Sequence, residues 1–290
     1  MRNMKSYDLK DSFEVYKEAV ERKDNVVIKM ELKSIENQVG ECYSNYERYF
    51  NQNDLHHMPE ARVGKEHKEA LLGMYNSKSK LIKDFRTRYF DINPQAYYNL
   101  CPYCVINSSN TTEHILPKEK YPEFAINVKN LIPGCGECNS DKSDRVVDEQ
   151  GEKLFINFYT DKLPDEQFLF VDITDNGGEL RMRYRLENLG GKISDETYAL
   201  IERHFDKLHL LDKYDIKAIQ EIAEIRNFYL DEMSVDAHQY DAYAAKQIRV
   251  CRMNERDYGI NHWKIVLIKA CASSEVFRLY IMRKVKAIRQ

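Results

Sequence analysis

Apolar residues at helical spacing dominate roughly the first 90 residues. One stripe predicts a helix near the N-terminus and consists of Leu9, Phe13, Tyr16 and Val20. A second stripe keeps the same spacing and predicts one long packed helix through Ile28, Leu32, Ile35, Val39, Cys42 and Tyr46. After a polar break at 51–59, a third helix is predicted over about 65–90, with inward-facing Leu71, Ile82, Phe85 and Tyr89.

The pattern changes to that of β-strands between residues 154 and 187. Short β-rich runs cover 154–158 and 168–173, and Asn176-Gly177-Gly178 is typical of a tight turn. The next run, 180–186, alternates strictly between apolar residues and Arg181, Arg183 and Arg185. This arginine face is either a solvated surface that protects a sheet edge or a surface that meets a phosphate backbone.

Helical spacing returns after Ser194, a predicted N-cap, and indicates further helices over about 213–230, 234–253 and 262–288. The fold is therefore predicted to be mainly α with a small α+β centre. We divide the chain into a helical N-terminal arm (1–95), a Pro-rich centre (96–150), and a β-hairpin followed by a helical C-terminal region (151–290).

The composition excludes a uniformly basic, histone-like protein. Among 290 residues, Lys and Arg number 44 against 47 Asp and Glu, for a net charge of −3. Local basic stretches remain at 62–88 and 246–290. The first is either a solvated helix face or a phosphate-facing arm, and the second binds either DNA or a protein. Because the sequence has no long apolar run and no apolar signal-peptide core, we expect a cytoplasmic protein without membrane contact.

Four cysteines form two knuckles in the centre. Cys101-x-x-Cys104 and Cys135-x-x-Cys138 are separated by 30 residues. Two such pairs complete a tetrahedral four-sulfur site with no position left for water, so they predict structural zinc. The other cysteines are Cys42, Cys251 and Cys271, which lie on apolar stripes and are expected to be small buried hydrophobes.

Polar residues between and after the knuckles form a candidate catalytic set. Glu113 and His114 lie in one strand-like run, Asn130 lies in a second, and Asn139 and Lys142 follow Cys138, where a helix is expected to begin. A neutral imidazole can accept a proton near pH 7, and carboxylate and amide oxygens suit Mg²⁺. A base beside such a metal is the equipment for phosphodiester hydrolysis.

This segment resembles the HNH endonucleases, which are built on the ββα-metal finger, in their zinc-stapled form. The resemblance covers about 101–144 and rests on the motifs CPYC, EHILP, NLIP, CGEC and CNSDKSD. It implies that His114 is the general base and that Glu113 and Asn139 hold a catalytic Mg²⁺ or Mn²⁺. It also implies that Asn130 fixes the loop that aims His114, and that Lys142 positions the helix or a phosphate. Many members have Asp at the position of Glu113 and His at that of Asn139.

The flanks resemble, more weakly, the HNH subunits of Septu-type and retron-linked anti-phage systems. The resembling segments are 261–264 and 275–277 within a helical tail. This resemblance implies an ATPase partner. We therefore predict a metal-dependent HNH endonuclease that cuts DNA as an effector of bacterial defence. Two alternatives stay open: a non-catalytic zinc-stapled module that binds nucleic acid or protein, and an RNA-cleaving toxin with the same site.

Overall fold

A computed structural model describes residues 1–7, 11–60, 63–235 and 239–289. Within these residues the chain forms eleven α-helices and two small antiparallel sheets, which confirms the predicted mainly α fold with a small α+β centre. It divides into two compact units, one of residues 2–162 and the other of residues 163–290 with Met1. The functional division at 95 and 150 stays a prediction, because compactness does not assign roles to segments.

The first unit begins with three helices: α1 (Ser12–Glu21), α2 (Val26–Ser34) and α3 (Glu36–Asn51). The prediction of one long helix through 28–46 was wrong, because Ile35 lies between α2 and α3 with non-helical φ −103° and ψ 4°. Ile35 is nevertheless buried, so the apolar stripe continues across the break and the sequence pattern does not reveal it. The predicted stripe member Leu9 lies outside the described residues.

The helix predicted over 65–90 is also divided, into α4 (Lys68–Leu72) and α5 (Lys80–Ile92). The segment between them ends in the polar run 76–79, and the Ser79 side chain accepts a hydrogen bond from the Ile82 N–H at the start of α5. The residues predicted to face inward are all buried: Leu71, Ile82, Phe85 and Tyr89.

The centre of the first unit consists of two short strands and a helix. Strand β1 (Thr111–His114) pairs antiparallel with β2 (Leu131–Gly134), with His114 opposite Leu131. Helix α6 (Gly136–Lys142) follows β2 directly, so it begins three residues before the predicted start at Asn139. This ββα order agrees with the sequence-based expectation for the centre.

The arm and the centre share one aromatic core. Tyr43 and Tyr46 of α3 pack against Phe124, with ring centroids 5.7 and 4.9 Å apart. Fully burying a large apolar side chain contributes about 1.5–3 kcal/mol. Since this core contains residues from both segments, it fixes the segment between β1 and β2 on the helices of the arm.

The predicted strand at 154–158 is absent. Its apolar residues are all buried rather than alternating. Their backbone is held by local partners instead of a ladder: the Leu154 N–H donates to the Val146 carbonyl at 3.0 Å, and the Asn157 N–H to an Asp161 carboxylate oxygen at 2.6 Å. A short apolar run does not by itself supply the partner that a strand needs.

In the second unit, strands β3 (Leu169–Asn176) and β4 (Glu179–Leu186) form the predicted hairpin around Gly177 and Gly178. On the arginine face of β4, Arg183 pairs with Asp215 at 3.1 Å and Arg185 pairs with Asp172 at 3.0 Å. These ion pairs favour the interpretation of this face as a solvated surface.

Five helices complete the second unit: α7 (Asp195–Lys207), α8 (Leu210–Val235), α9 (Tyr240–Tyr258), α10 (Trp263–Ser273) and α11 (Glu275–Arg289). Ser194 caps α7 as predicted. The single helix predicted over 262–288 was wrong, because Ser274 has extended backbone angles and separates α10 from α11. None of the described helices is both long enough and apolar enough to cross a membrane.

Candidate active site and structural metal centre

The four knuckle cysteines form one buried cluster. The Sγ atoms of Cys101, Cys104, Cys135 and Cys138 all lie within 4.8 Å of one another, and those of Cys104 and Cys135 are 3.9 Å apart. Four sulfurs around tetrahedral zinc, at about 2.3 Å each, lie about 3.8 Å from one another. The donor set therefore fits structural zinc, as the spacing of the cysteines predicted.

Local backbone geometry explains how each knuckle presents its sulfurs. In the first, the Val105 N–H donates to the Cys101 carbonyl at 2.9 Å, and Val105 has φ +49°, which is unusual for a β-branched residue. In the second, Cys135 is the N-cap of α6, and its sulfur accepts from the Cys138 N–H at 3.4 Å. The second pair is thus oriented by the helix that also carries Asn139.

His114 ends strand β1, and its ring is fixed by a carbonyl. Its Nε2 donates to the Ala125 oxygen at 2.9 Å, which leaves Nδ1 as the nitrogen able to accept a proton. The ring of Tyr75 packs edge-on against it, with centroids 4.8 Å apart. Burial lowers the pKa of His114 from 6.5 to about 4, so the imidazole is neutral at pH 7.

Glu113 forms a buried ion pair with Lys142. Lys142 Nζ lies 3.1 Å from Glu113 Oε1 and donates to the His114 carbonyl at 2.9 Å. The Glu113 side chain is 6% exposed and that of Lys142 is 3% exposed. Burial raises the pKa of Glu113, and the ammonium of Lys142 acts in the opposite direction. Lys142 therefore positions β1 against α6.

Glu113, His114 and Asn139 all border one cavity of about 560 Å³. The predicted base and both residues predicted to bind the metal therefore line a common cavity, and the Glu113 carboxylate is paired with Lys142. A carboxylate and an amide oxygen are a donor set that fits Mg²⁺ or Mn²⁺. Asn130 and Lys142 do not border this cavity, so neither is placed to touch a substrate there.

Asn130 is fully buried and ties β1 to the chain around it. Its Oδ1 accepts from the Leu116 N–H at 2.7 Å, while its Nδ2 donates to the Leu116 carbonyl at 2.9 Å and to the Phe124 carbonyl at 3.3 Å. The hydroxyl of Tyr46 donates to the same Oδ1 at 3.3 Å. These contacts are those of a positioning residue just beyond His114.

Tyr75 and Lys118 are two of the cavity-lining residues that were not among the predicted site residues. Tyr75 contacts His114 from the arm and donates to the Thr112 carbonyl at 3.3 Å. Lys118 brings a positive charge to the same space, paired with Glu119 at 2.8 Å. Lys118 could have been indicated by its position directly after the EHILP motif. Tyr75 lies far from that motif in sequence, so no local signal indicated its place.

Comparisons with known proteins give two similar sequences. The chain is 25% identical to protein ea31 of Escherichia phage lambda over 224 residues, covering 69% of this chain and 74% of ea31. It is 29% identical to the Septu protein PtuB of Bacillus thuringiensis over 83 residues, covering 24% of this chain and 32% of PtuB. No protein-family model matches the sequence. No solved structure matches it either.

Proposed function

We propose that this chain is a metal-dependent endonuclease of the HNH type that hydrolyses DNA. One observation carries the proposal: His114, whose ring is fixed by a carbonyl, lines a single cavity together with Glu113 and Asn139, next to a four-cysteine cluster. The resemblance of 101–144 to zinc-stapled HNH endonucleases assigns chemistry to the same residues.

His114 acts as the general base in this proposal. Its Nδ1 takes a proton from water, the water oxygen forms a bond to phosphorus, and the bond from phosphorus to the 3′ oxygen breaks. The downstream fragment keeps the phosphate on its 5′ end, and the 3′ oxygen of the upstream fragment takes a proton from solvent. The low pKa of His114 keeps Nδ1 free to accept the proton at neutral pH.

Glu113 and Asn139 would hold the catalytic Mg²⁺ or Mn²⁺. The ion, when bound, supplies positive charge that stabilises the phosphate and the departing oxygen. Lys142 favours the ionised form of the Glu113 carboxylate against the effect of burial and directs it, and Asn130 holds the chain after His114 in place. Lys118, which pairs with Glu119, brings a cationic side chain to the cavity that can meet a phosphate.

Cleavage of supercoiled plasmid tests the base. Wild-type protein with Mg²⁺ or Mn²⁺ should nick the plasmid, and His114→Ala should reduce the rate by about 10²- to 10⁴-fold. His67→Ala is the matched control, because His67 is a half-buried imidazole that bonds to Glu31 outside the cavity. Equal cleavage by wild type and His114→Ala would refute the assignment. An RNA transcript in the same reaction separates DNA cleavage from RNA cleavage.

We also propose a role in anti-phage defence together with an ATPase partner. Support comes from the identity to the Septu protein PtuB and from the weak resemblance of the flanks to Septu-type subunits. The more extensive match is to a phage protein, so the nuclease proposal rests on the site and not on either relative.

Phage plating tests the defence role. Cells that express the gene with its native neighbours should plate phage less efficiently than cells that carry the His114→Ala gene in the same setting. Equal plating on both strains would argue against a defence role that depends on this site, without affecting the plasmid result.

A further inference from the structure

A second group of metal-binding side chains lies away from the proposed active site. Asp54, His56 and His57 lie on and just before a single 3-10 turn (Leu55–His57), and one donor atom of each lies within 4.8 Å of the others. Asp54 Oδ1 is 2.6 Å from His57 Nδ1 and 3.9 Å from His56 Nδ1. The two imidazole rings lie side by side, with centroids 4.1 Å apart and planes inclined by 37°.

His56 supplies an independent indication of a ligand. Its Nδ1 is buried and has no hydrogen-bond partner among the described residues. A buried ring nitrogen without a partner is unfavourable, and such groups usually bind a proton donor, a water molecule or a metal. Asp54 Oδ1 is the acidic atom that this nitrogen faces, so a cation between them would satisfy both.

The surroundings allow a divalent cation. Asp161 and Lys153 are the other charged groups that act on His56, and they pair with each other at 2.7 Å. Their charges therefore largely cancel at this distance, and Asp54 leaves the cluster with a net negative charge. His57 is 63% exposed at the side chain, so an ion can reach the cluster from solvent.

We propose that Asp54, His56 and His57 form a second transition-metal site, for Zn²⁺ or a similar ion such as Co²⁺ or Ni²⁺. Ligand atoms around tetrahedral zinc, at about 2.0–2.1 Å each, lie about 3.3 Å apart, and the two measured distances fall on either side of this value. Two imidazoles and one carboxylate leave a fourth position open for water. The site is independent of the four-cysteine cluster and of the nuclease proposal.

Titration of the full chain with zinc tests the site. Protein with its cysteine cluster loaded is dialysed free of loosely held metal and titrated by calorimetry. The wild type should bind a further equivalent of zinc at this site, in addition to any zinc that occupies the cavity at Glu113 and Asn139. His57→Ala, which removes an exposed ligand, should weaken this binding by about 100-fold or more, at least as much as loss of a supporting partner does at known sites. Asp54→Asn should weaken it in the same direction.

The matched control is His209→Asn. His209 is another exposed histidine, and asparagine tolerates its φ of +51°. His209→Asn should bind the additional zinc ion with the same affinity as the wild type. Cobalt gives a second readout, because the sulfur-to-metal absorption of the cysteine cluster should be unchanged in His57→Ala while the weaker bands of the second ion disappear. Absence of a second equivalent in the wild type, or equal affinity in wild type and His57→Ala, would overturn the proposal.

Discussion

Replacement of Lys142 by methionine probes the ion pair that joins β1 to α6. Methionine occupies a similar volume but removes the ammonium that lies 3.1 Å from Glu113 Oε1. The carboxylate is then left 6% exposed and without its cation. Breaking a buried ion pair from one side costs about 3–5 kcal/mol, whereas replacing both partners by neutral groups costs much less. We therefore expect Lys142→Met to be destabilised by this amount.

The size of the effect can be measured by thermal unfolding. For a domain of about 160 residues, each kcal/mol lowers the midpoint by about 2–4 °C, so the expected decrease is about 6–20 °C. The loss depends on pH, because burial already raises the pKa of Glu113 and the variant lacks the opposing charge. A carboxyl whose pKa is raised on folding is stabilised below its unfolded pKa and loses that stabilisation as pH rises. Lys142→Met should therefore differ least from wild type near pH 4 and most above pH 7.

The double variant Glu113→Gln/Lys142→Met is the control, and it should recover most of the lost stability. Mg²⁺ adds a test of the metal role, because a cation on Glu113 replaces the missing charge. At 100 times its dissociation constant it should stabilise Lys142→Met by about 2.7 kcal/mol, and the double variant much less. A Lys142→Met midpoint within 2 °C of wild type at pH 8 would refute the ion-pair reasoning. Equal stabilisation of both variants by Mg²⁺ would refute Glu113 as a ligand.

Three further predictions concern the same unit. Cys101→Ser should lose zinc and unfold the centre, since structural zinc contributes about 10–16 kcal/mol to such segments; metal analysis with circular dichroism checks this, and unchanged zinc content would contradict it. Asn130→Ala leaves the Leu116 N–H and carbonyl without their partner and should cost about 2–4 kcal/mol in denaturant unfolding, so a loss below 1 kcal/mol would show that water replaces it. Nuclease activity should persist at pH 5 and fall only as pH approaches 4, because protonation of His114 requires that acidity; a midpoint near 6.5 in the rate profile would contradict the burial argument.

Burial of His114 lowers the pH at which the proposed base is expected to be lost. An unperturbed imidazole suggests loss of activity below about pH 6.5. The structure lowers the pKa of His114 to about 4, because the ring is buried between Tyr75 and the Ala125 carbonyl. The stability that this neutral ring contributes is complete above pH 6.5 and is lost as pH falls towards 4. Burial of one ring depends on the whole fold, so a motif cannot reveal it.

Sequence patterns predicted the local features well. The spacing of Cys101, Cys104, Cys135 and Cys138 was enough to expect one cluster, because each pair occupies a single tight turn. The polar residues around them were expected on one face, and the structure places Glu113, His114 and Asn139 at one cavity.

Longer-range features were missed for physical reasons. Hydrophobic periodicity reports which residues face the core and not whether the helix is continuous, so the breaks at Ile35 and Ser274 left no sign. The charge of Arg86 was counted within a basic stretch that faces either solvent or phosphate. Its guanidinium is instead half-buried and donates to the carbonyls of Ser109 and Thr111, at the start of β1. Contacts between segments so far apart in sequence have no local signal.

The contacts of Tyr46 and Arg86 mean that the proposed nuclease centre depends on the helical arm for its structure. Tyr46 donates a hydrogen bond to the side chain of Asn130, which fixes the chain just after His114. Arg86 bonds to the Thr111 carbonyl at the other end of β1. Excision of residues 96–150 would sever both supports, so a minimal fragment should not retain the arrangement of the site. Conversely, any molecule that displaces α3 or α5 would shift His114 without entering the cavity. The site could therefore be regulated by binding at a distance from it.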